Sequence, residues 1–212
     1  MTRALVIFDF DGVIADAFEQ VWNMFQEFFA RHHFTKVPTK TAFRNLFFSN
    51  FYEATEALGF DICHTPKLQQ EMKELLHERY NPSPFAGMKE AIEHLAQNYD
   101  LAIESSNYYE PVMRFLKKQG SEKAFTLVVG ADEEVSKTKR LKKCIEKLKP
   151  NNVLFVTDTV GDIKEAKAVG IPVIAVTWGY QSYPQLKKEQ PLALVRTPQD
   201  LVQTITTHFK QP

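Results

Sequence analysis

Short apolar runs punctuate the chain, and most are followed by a stretch with helical periodicity. The runs Ala4–Phe8, Leu101–Ile103, Phe125–Val129, Val153–Val156 and Val173–Val176, with Leu192–Val195 as a sixth, do not alternate between apolar and polar residues. They read as strands buried on both faces. One-face stripes after the second and third runs predict helices, Val112, Phe115 and Leu116, then Leu141, Cys144, Ile145 and Leu148, and Met88, Ile92 and Leu95 mark a further helix before the second run. Strands that alternate with helices in this way predict an α/β protein with a doubly wound parallel sheet.

The alternation fails between about Ala17 and Pro84. Three aromatic-rich stripes replace it: Phe18 to Phe29, Phe43 to Leu58, and Leu68 to Tyr80. They predict an inserted helical cap subdomain over residues 17–84, leaving 1–16 and 85–212 as the α/β core domain. The turn formers Asn81-Pro82-Ser83-Pro84 and Gly87 mark the return to the sheet. The two connections, near Asp16 and Ser83, are neighbours, as a hinge requires. Phe47-Phe48 and Phe51-Tyr52 are assigned to the core of the helical bundle.

A length of 212 residues accommodates one α/β domain with an insertion and not two full domains. Twenty-six Lys and Arg balance twenty-six Asp and Glu, so no net field attracts a polyanion, and no nucleic-acid partner is expected. No apolar stretch approaches the roughly 18 residues of a membrane helix, and Asp9 interrupts the first run too early for a signal core. The expectation is a cytoplasmic protein without a membrane partner. Cys63 and Cys144 are placed on apolar helical faces, and neither a disulfide nor a metal site is expected of them.

Ligands of open parallel sheets bind outside the carboxyl ends of the strands. There the sequence supplies Asp9-Phe10-Asp11-Gly12, Glu104-Ser105-Ser106-Asn107, Thr157-Asp158 with Asp162 four residues on, and Thr177. Acids converging on one edge repel each other, and a hard divalent cation relieves that repulsion. Magnesium is the natural candidate.

The run Asp9-Phe10-Asp11-Gly12-Val13-Ile14-Ala15-Asp16 resembles the first motif of the haloacid dehalogenase-like hydrolases. Ser105, Lys137 and the Asp158/Asp162 pair follow in that family's order, and the insert is similar to its helical cap of the first type. The resemblance spans nearly the whole chain and points to the phosphoglycolate phosphatase and β-phosphoglucomutase-like group, with its Rossmannoid core. It implies a magnesium-dependent phosphatase that acts on a small phosphorylated metabolite, a phosphate monoester, through an aspartyl-phosphate. Asp9 would be the nucleophile and Asp11 the acid and base. Ser105 would bind the phosphoryl oxygens, helped by backbone N–H groups of Phe10, Asp11 and Ser106, with the Ser106 side chain as runner-up. Lys137 would neutralise charge, Lys139 competing for the role. Phe10, Ser106 and Asn107 are assigned to substrate. Asp9, Asp158 and the Asp11 carbonyl would bind Mg²⁺, and Asp162 would hold its water or cap the helix beginning at Ile163.

Four departures from the family pattern stand out: Glu104 before the second-motif Ser, Thr157 in place of Gly, no Lys-Pro pair in the third motif, and Ala17 in place of Ser or Thr. Glu104 is unfavourable beside a phosphate unless it points away or is paired, or it faces a cationic group of the substrate. In the insert, one or both of Arg31-His32-His33-Phe34 and the turn at Ser49-Asn50 are expected to reach the substrate's non-phosphate end, with Arg31 and His33 binding it. A sugar phosphomutase of β-phosphoglucomutase type is the alternative activity, and Arg31, Lys36, Lys40 and Arg44 would then hold a distal phosphate. A non-catalytic binding protein of the same fold is the remaining rival. The chain is expected as a monomer or homodimer.

Overall fold

The structure is a computed structural model and describes residues 3–210. Six parallel strands form one sheet: β1 (Leu5–Phe8), β4 (Asp100–Glu104), β5 (Leu127–Val129), β6 (Val153–Thr157), β7 (Val173–Val176) and β8 (Ala193–Val195), in the order β5-β4-β1-β6-β7-β8. All six apolar runs of the sequence are strands, their ends displaced by at most two residues. Phe125 is the exception in kind, because a 3₁₀ turn at Glu122–Ala124 delays the start of β5.

The central strand shows why these runs are uniformly apolar. Val6 and Phe8 pack into one hydrophobic cluster and Leu5 and Ile7 into another, and all four are fully buried. A strand covered on both sides has no wet face to mark. The helices α5 (Met88–Ala96), α6 (Tyr109–Gln119) and α10 (Pro198–Lys210) cover the first side through Ile92, Phe115 and Leu201. Helices α7 (Lys137–Leu148), α8 (Val160–Ala168) and α9 (Tyr183–Lys188) cover the second through Leu141, Ile163 and Leu186. The fold is the doubly wound α/β arrangement with a helical insertion.

Residues between β2 (Ala15–Asp16) and β3 (Ser83–Pro84) form the insertion, and these two short strands pair antiparallel, Ala15 with Pro84 and Asp16 with Ser83. The chain therefore leaves and re-enters the sheet layer side by side. The insertion holds four helices where three stripes were expected: α1 (Phe18–Arg31), α2 (Lys40–Leu46), α3 (Phe51–Ala57) and α4 (Pro66–Arg79). The second stripe is cut at Asn50, whose side-chain oxygen accepts from the N–H groups of Tyr52 at 3.0 Å and Glu53 at 3.4 Å and so starts a new helix. Cys63 falls in the connection before α4 and not on a helical face; Cys144 is buried in α7, and both thiols are free. Among the described residues no helix is long and apolar enough to cross a membrane.

Candidate active site

Strand order brings the polar ends of β1, β4 and β6 together at the carboxyl edge of the sheet. β1 delivers Asp9, which is 7% exposed and whose Oδ1 accepts from the Phe10 N–H at 2.8 Å. The chain then turns sharply at Gly12, where φ is +86° and a side chain would collide with the Asp158 carboxylate. Glycine is required here twice over, for the left-handed backbone and for the close approach.

Lys137 opens α7 and reaches into this edge, where its Nζ lies 2.7 Å from Asp162, 2.9 Å from Glu104 and 3.3 Å from Asp9. Burial alone would lower its pKa, but Asp162, Asp9 and Glu104 outweigh that and hold it above its ordinary value. Lys139 is 69% exposed and faces Glu134 at 3.6 Å, so of the two candidate lysines only Lys137 enters the cluster. Asp162 uses Oδ2 to accept from Lys137 and from the Thr157 hydroxyl, both at 2.7 Å. Burial works to raise its pKa, but Lys137 and these hydrogen bonds hold it below the ordinary value. The cap of α8 is Thr159 and not Asp162, whose own N–H donates to Thr159 Oγ1 at 3.3 Å. Thr157, one of the departures from the family pattern, is thus a donor to Asp162.

Glu104 is fully buried, and its second oxygen accepts from Arg140 Nε at 3.1 Å. It is paired on both sides. Arg140 is itself fully buried, donating also to the carbonyls of Glu134 and Val135 at 2.7 Å and to Ser106 Oγ at 3.0 Å. Sequence reasoning missed this residue because Lys139 and Arg140 look alike in a basic run. Only the helical phase, which turns Arg140 inward with Leu141 and Cys144, separates them.

Ser105 is buried beside the acids and accepts from the Asn107 N–H at 3.0 Å; Asn107 in turn donates to Asp11 Oδ2 at 3.1 Å. The hydroxyl of Tyr80, from the end of the insertion, donates to Asp11 Oδ1. Burial raises the Asp11 carboxyl to about 6, with the Tyr80 and Asn107 hydrogen bonds opposing. Tyr80 stood in the sequence only as the last member of an apolar stripe, and nothing in that pattern marked its hydroxyl.

Four fully or nearly buried carboxylates, Asp9, Glu104, Asp158 and Asp162, face two buried cations, Lys137 and Arg140. With all four ionised the excess would be two negative charges, the charge of one divalent cation. Asp9, Glu104 and Asp162 place oxygens within 4.8 Å of one another, but Lys137 already bridges that trio. Among the described residues, Asp158 Oδ1 is buried with neither a hydrogen bond nor an ion pair; the other oxygen accepts from the Tyr180 N–H at 2.6 Å. Burial lifts the Asp158 carboxyl to about 8 and, despite Lys137, holds Asp9 well above its ordinary value. An orphaned carboxylate oxygen and an all-oxygen donor set fit a hard cation at Asp9 and Asp158.

A cavity of about 80 Å³ lies over Asp9, Asp11, Ser105, Ser106, Asn107 and Lys137. Its opposite wall comes from the insertion: Val21, Phe25, Phe47, Phe51, Met72 and Leu76. Phe47 and Phe51, which the sequence assigned wholly to the bundle core, therefore also face the site. Tyr52 spans the two walls, its hydroxyl donating to the Ser106 carbonyl at 2.7 Å. Ser49 and Asn50 line the cavity; Arg31 and His33 do not. Both of the latter are exposed at the far end of α1, where Arg31 pairs with Glu27 and His33 occupies the turn that ends the helix.

A family model described as haloacid dehalogenase-like hydrolase matches residues 6–176. The phosphoglycolate phosphatase of Synechococcus elongatus is 32% identical over 130 residues, 60% of this chain and 61% of that protein, so the likeness spans about three fifths of that relative. Pyrophosphatase PpaX of Listeria monocytogenes is 26% identical over 210 residues, covering 93% of this chain and 94% of that one. The structure of a predicted phosphatase from Clostridium acetobutylicum matches the fold with a TM-score of 0.84 at 18% identity, over 98% of this chain and all of the other. The family match runs from β1 through β7, across the strands that present Asp9, Ser105 and Asp158, and the chain belongs to the haloacid dehalogenase-like hydrolases.

Proposed function

We propose that the protein is a magnesium-dependent phosphatase that hydrolyses a small phosphate monoester through a phosphorylated Asp9, with residues 17–84 serving as a cap on a core of 1–16 and 85–212. The observation that carries this reading is the pair of carboxyls on one loop with opposite equipment. Asp9 lies against Lys137 at 3.3 Å, while Asp11, raised to about 6, is held by Tyr80 and Asn107 at the mouth of the same cavity. One is placed to attack, the other to carry a proton near neutral pH.

Asp9, Asp158 and the Asp11 carbonyl would hold the metal, which when bound supplies positive charge against the repulsion between carboxylate and phosphate. An Asp9 oxygen attacks phosphorus, and the bond from phosphorus to the ester oxygen breaks. Asp11 gives its proton to the departing alkoxide. A water then attacks the aspartyl-phosphate, Asp11 taking its proton, and orthophosphate leaves with Asp9 restored. Through these steps Lys137 and the Ser105 hydroxyl neutralise and hydrogen-bond the equatorial oxygens, an arrangement fixed before substrate arrives. Closure over the cavity excludes bulk water from the first step. The relatives named phosphatase and pyrophosphatase agree with this class of chemistry.

Acid quenching of the enzyme during turnover of an aryl phosphate, followed by peptide mass spectrometry, should find a phosphoryl group on the peptide containing Asp9. Orthophosphate release should stop in excess chelator and return with magnesium. Full activity in chelator, or a phosphoryl group mapped elsewhere, would overturn the mechanism.

A further inference from the structure

The cavity wall that faces away from Asp9 carries information about the leaving group. Resting on the phosphatase reading, we propose that the substrate's alcohol is uncharged and apolar, aryl or short alkyl, and that esters with a second anion, such as phosphoglycolate or a hexose bisphosphate, are excluded.

Lys137 is the sole cation among the described residues that line the cavity, and three carboxylates already surround it at 2.7 to 3.3 Å. The insertion adds none. Of its basic residues that sequence reasoning offered to a distal phosphate, Arg31 pairs with Glu27, Lys36 donates to the Leu58 carbonyl and Lys40 pairs with Glu19. Arg44 stacks over the Phe18 ring at 4.1 Å. None of the four lines the cavity.

Of the polar side chains that the insertion brings to this wall, Ser49, Asn50 and Tyr52, the last two have their hydrogen bonds committed, and the Ser49 hydroxyl is neutral. Asn50 accepts at the start of α3 and its amide donates to Glu165 Oε1 at 3.4 Å, while the Tyr52 hydroxyl donates to the Ser106 carbonyl. The charged side chain they meet from the core is Glu165, a carboxylate whose Oε2 is buried without a partner. A substrate carboxylate or second phosphate would be stripped of water against aromatic rings and the Glu165 carboxyl, with neutral hydroxyls such as those of Ser49 and Tyr180 but no free cation in exchange. An apolar group loses nothing there and gains burial against Phe25, Phe51, Met72 and Leu76.

The test compares kcat/KM for orthophosphate release by the wild-type enzyme with magnesium. The substrates are methyl, ethyl and propyl phosphate, phosphoglycolate, and the methyl ester of phosphoglycolate, which keeps the same alkoxide without its charge. We expect about a fourfold rise per methylene along the alkyl series, and about a hundredfold preference for the neutral methyl ester over phosphoglycolate. Met72→Lys, which sets a cation in the wall, should shift that ratio toward phosphoglycolate by at least about tenfold; Glu165→Gln should shift it the same way by less. Phosphoglycolate turned over as well as its methyl ester by the wild type would overturn the proposal, whether or not the variants fold. If no ester releases phosphate, the phosphatase reading fails instead, and calorimetric titration with propyl phosphate and phosphoglycolate still decides: tighter binding of phosphoglycolate rejects the apolar cavity.

Discussion

The floor and the roof of the cavity are built on opposite physical principles. The floor, at the strand ends, buries Asp9, Glu104, Asp162, Lys137 and Arg140 in one chain of ion pairs at 2.7 to 3.3 Å and buries Asp158 as well. The charges of Glu104, Asp162, Lys137 and Arg140 are tolerable because their partners are in place, since an unpaired ion in such a position costs several kcal/mol, whereas Asp158, in no ion pair among the described residues, has its carboxyl raised to about 8 by burial. The roof is a stack of rings, Phe25 against Phe51 at 4.8 Å and Phe47 against Phe51 at 5.1 Å. Its contacts are non-directional, and a residue of similar volume substitutes at a cost of about 1.5 kcal/mol or less. Chemistry is therefore concentrated where substitution fails, and the fit to the leaving group where substitution is tolerated. The walls touch through Tyr180, which packs edge-on against Phe47 at 5.0 Å while its backbone N–H holds Asp158, and through Gly161, where a side chain would come within 2.6 Å of the Ser49 carbonyl.

The largest effect should come from the floor's most central acid. Asp9→Asn keeps the volume and removes the nucleophile, and kcat for an aryl phosphate should fall by at least about 10⁴-fold, or roughly 5 kcal/mol of barrier. Steady-state phosphate release checks this. Near-normal turnover would show that the floor is merely an ion-binding cluster.

Asp11→Asn comes next and separates the two carboxyls of the loop. Without a proton to give, hydrolysis of alkyl phosphates should drop by about 10² to 10⁴-fold, whereas aryl phosphates, whose leaving groups need little protonation, should lose much less. Titration calorimetry should find magnesium affinity almost unchanged, because the Asp11 side chain bonds Tyr80 and Asn107. An equal loss on both substrate types, with weakened magnesium binding, would place Asp11 with the metal and not with the proton.

Arg140→Met probes the pairing itself. It strips Glu104 of one of its two partners at a fully buried position, and urea unfolding should show a loss of about 3–5 kcal/mol. Replacing both partners, Glu104→Leu with Arg140→Met, should recover the part due to the orphaned Glu104 charge, while the Glu134 and Val135 carbonyls still lose their donor. If the double variant is as unstable as the single, the pair is not what makes Glu104 tolerable beside the phosphate position.

How much of this was legible in the sequence follows the same division. The floor was readable because its residues sit at fixed offsets from apolar strands: Asp9 one residue past β1, Ser105 one past β4, Asp158 one past β6. Strand ends in a parallel sheet converge whatever the loops do. The doubly wound fold followed from the same runs. Partners across the site were not legible. Tyr80, Arg140, Glu165 and Tyr180 reach it from four different elements, and their polar atoms lie on residues whose periodic positions signal only burial. The roof was readable as aromatic but not as a wall, because one stripe serves the bundle core and the cavity at once; Phe51 packs on Phe43 and also lines the site.

The smallest effects should come from the residues that looked most like a binding edge. In the structure Arg31-His32-His33-Phe34 is the end of a helix and not a reach toward substrate. His33 takes the left-handed conformation with φ of 55°, its N–H donating to the Ala30 carbonyl at 3.1 Å, and the Phe34 N–H donates to the Phe29 carbonyl at 2.8 Å. Phe34 closes the motif by packing on Phe29 with ring centroids 5.0 Å apart. This is the pattern in which glycine usually stands at the left-handed position. Polar residues are found there because the turn is exposed, which a linear sequence cannot distinguish from exposure to a ligand. His33→Gly should therefore raise stability by up to about 1 kcal/mol, through relief of the left-handed strain net of glycine's extra freedom when unfolded. Arg31→Ala, which removes an exposed ion pair with Glu27, should cost no more than about 1 kcal/mol. Neither should alter the ratio of kcat/KM between propyl and phenyl phosphate by more than about twofold. A larger change in that ratio, with stability unmoved, would mean that the far end of α1 meets the substrate after all and that the division between roof and floor has been drawn in the wrong place.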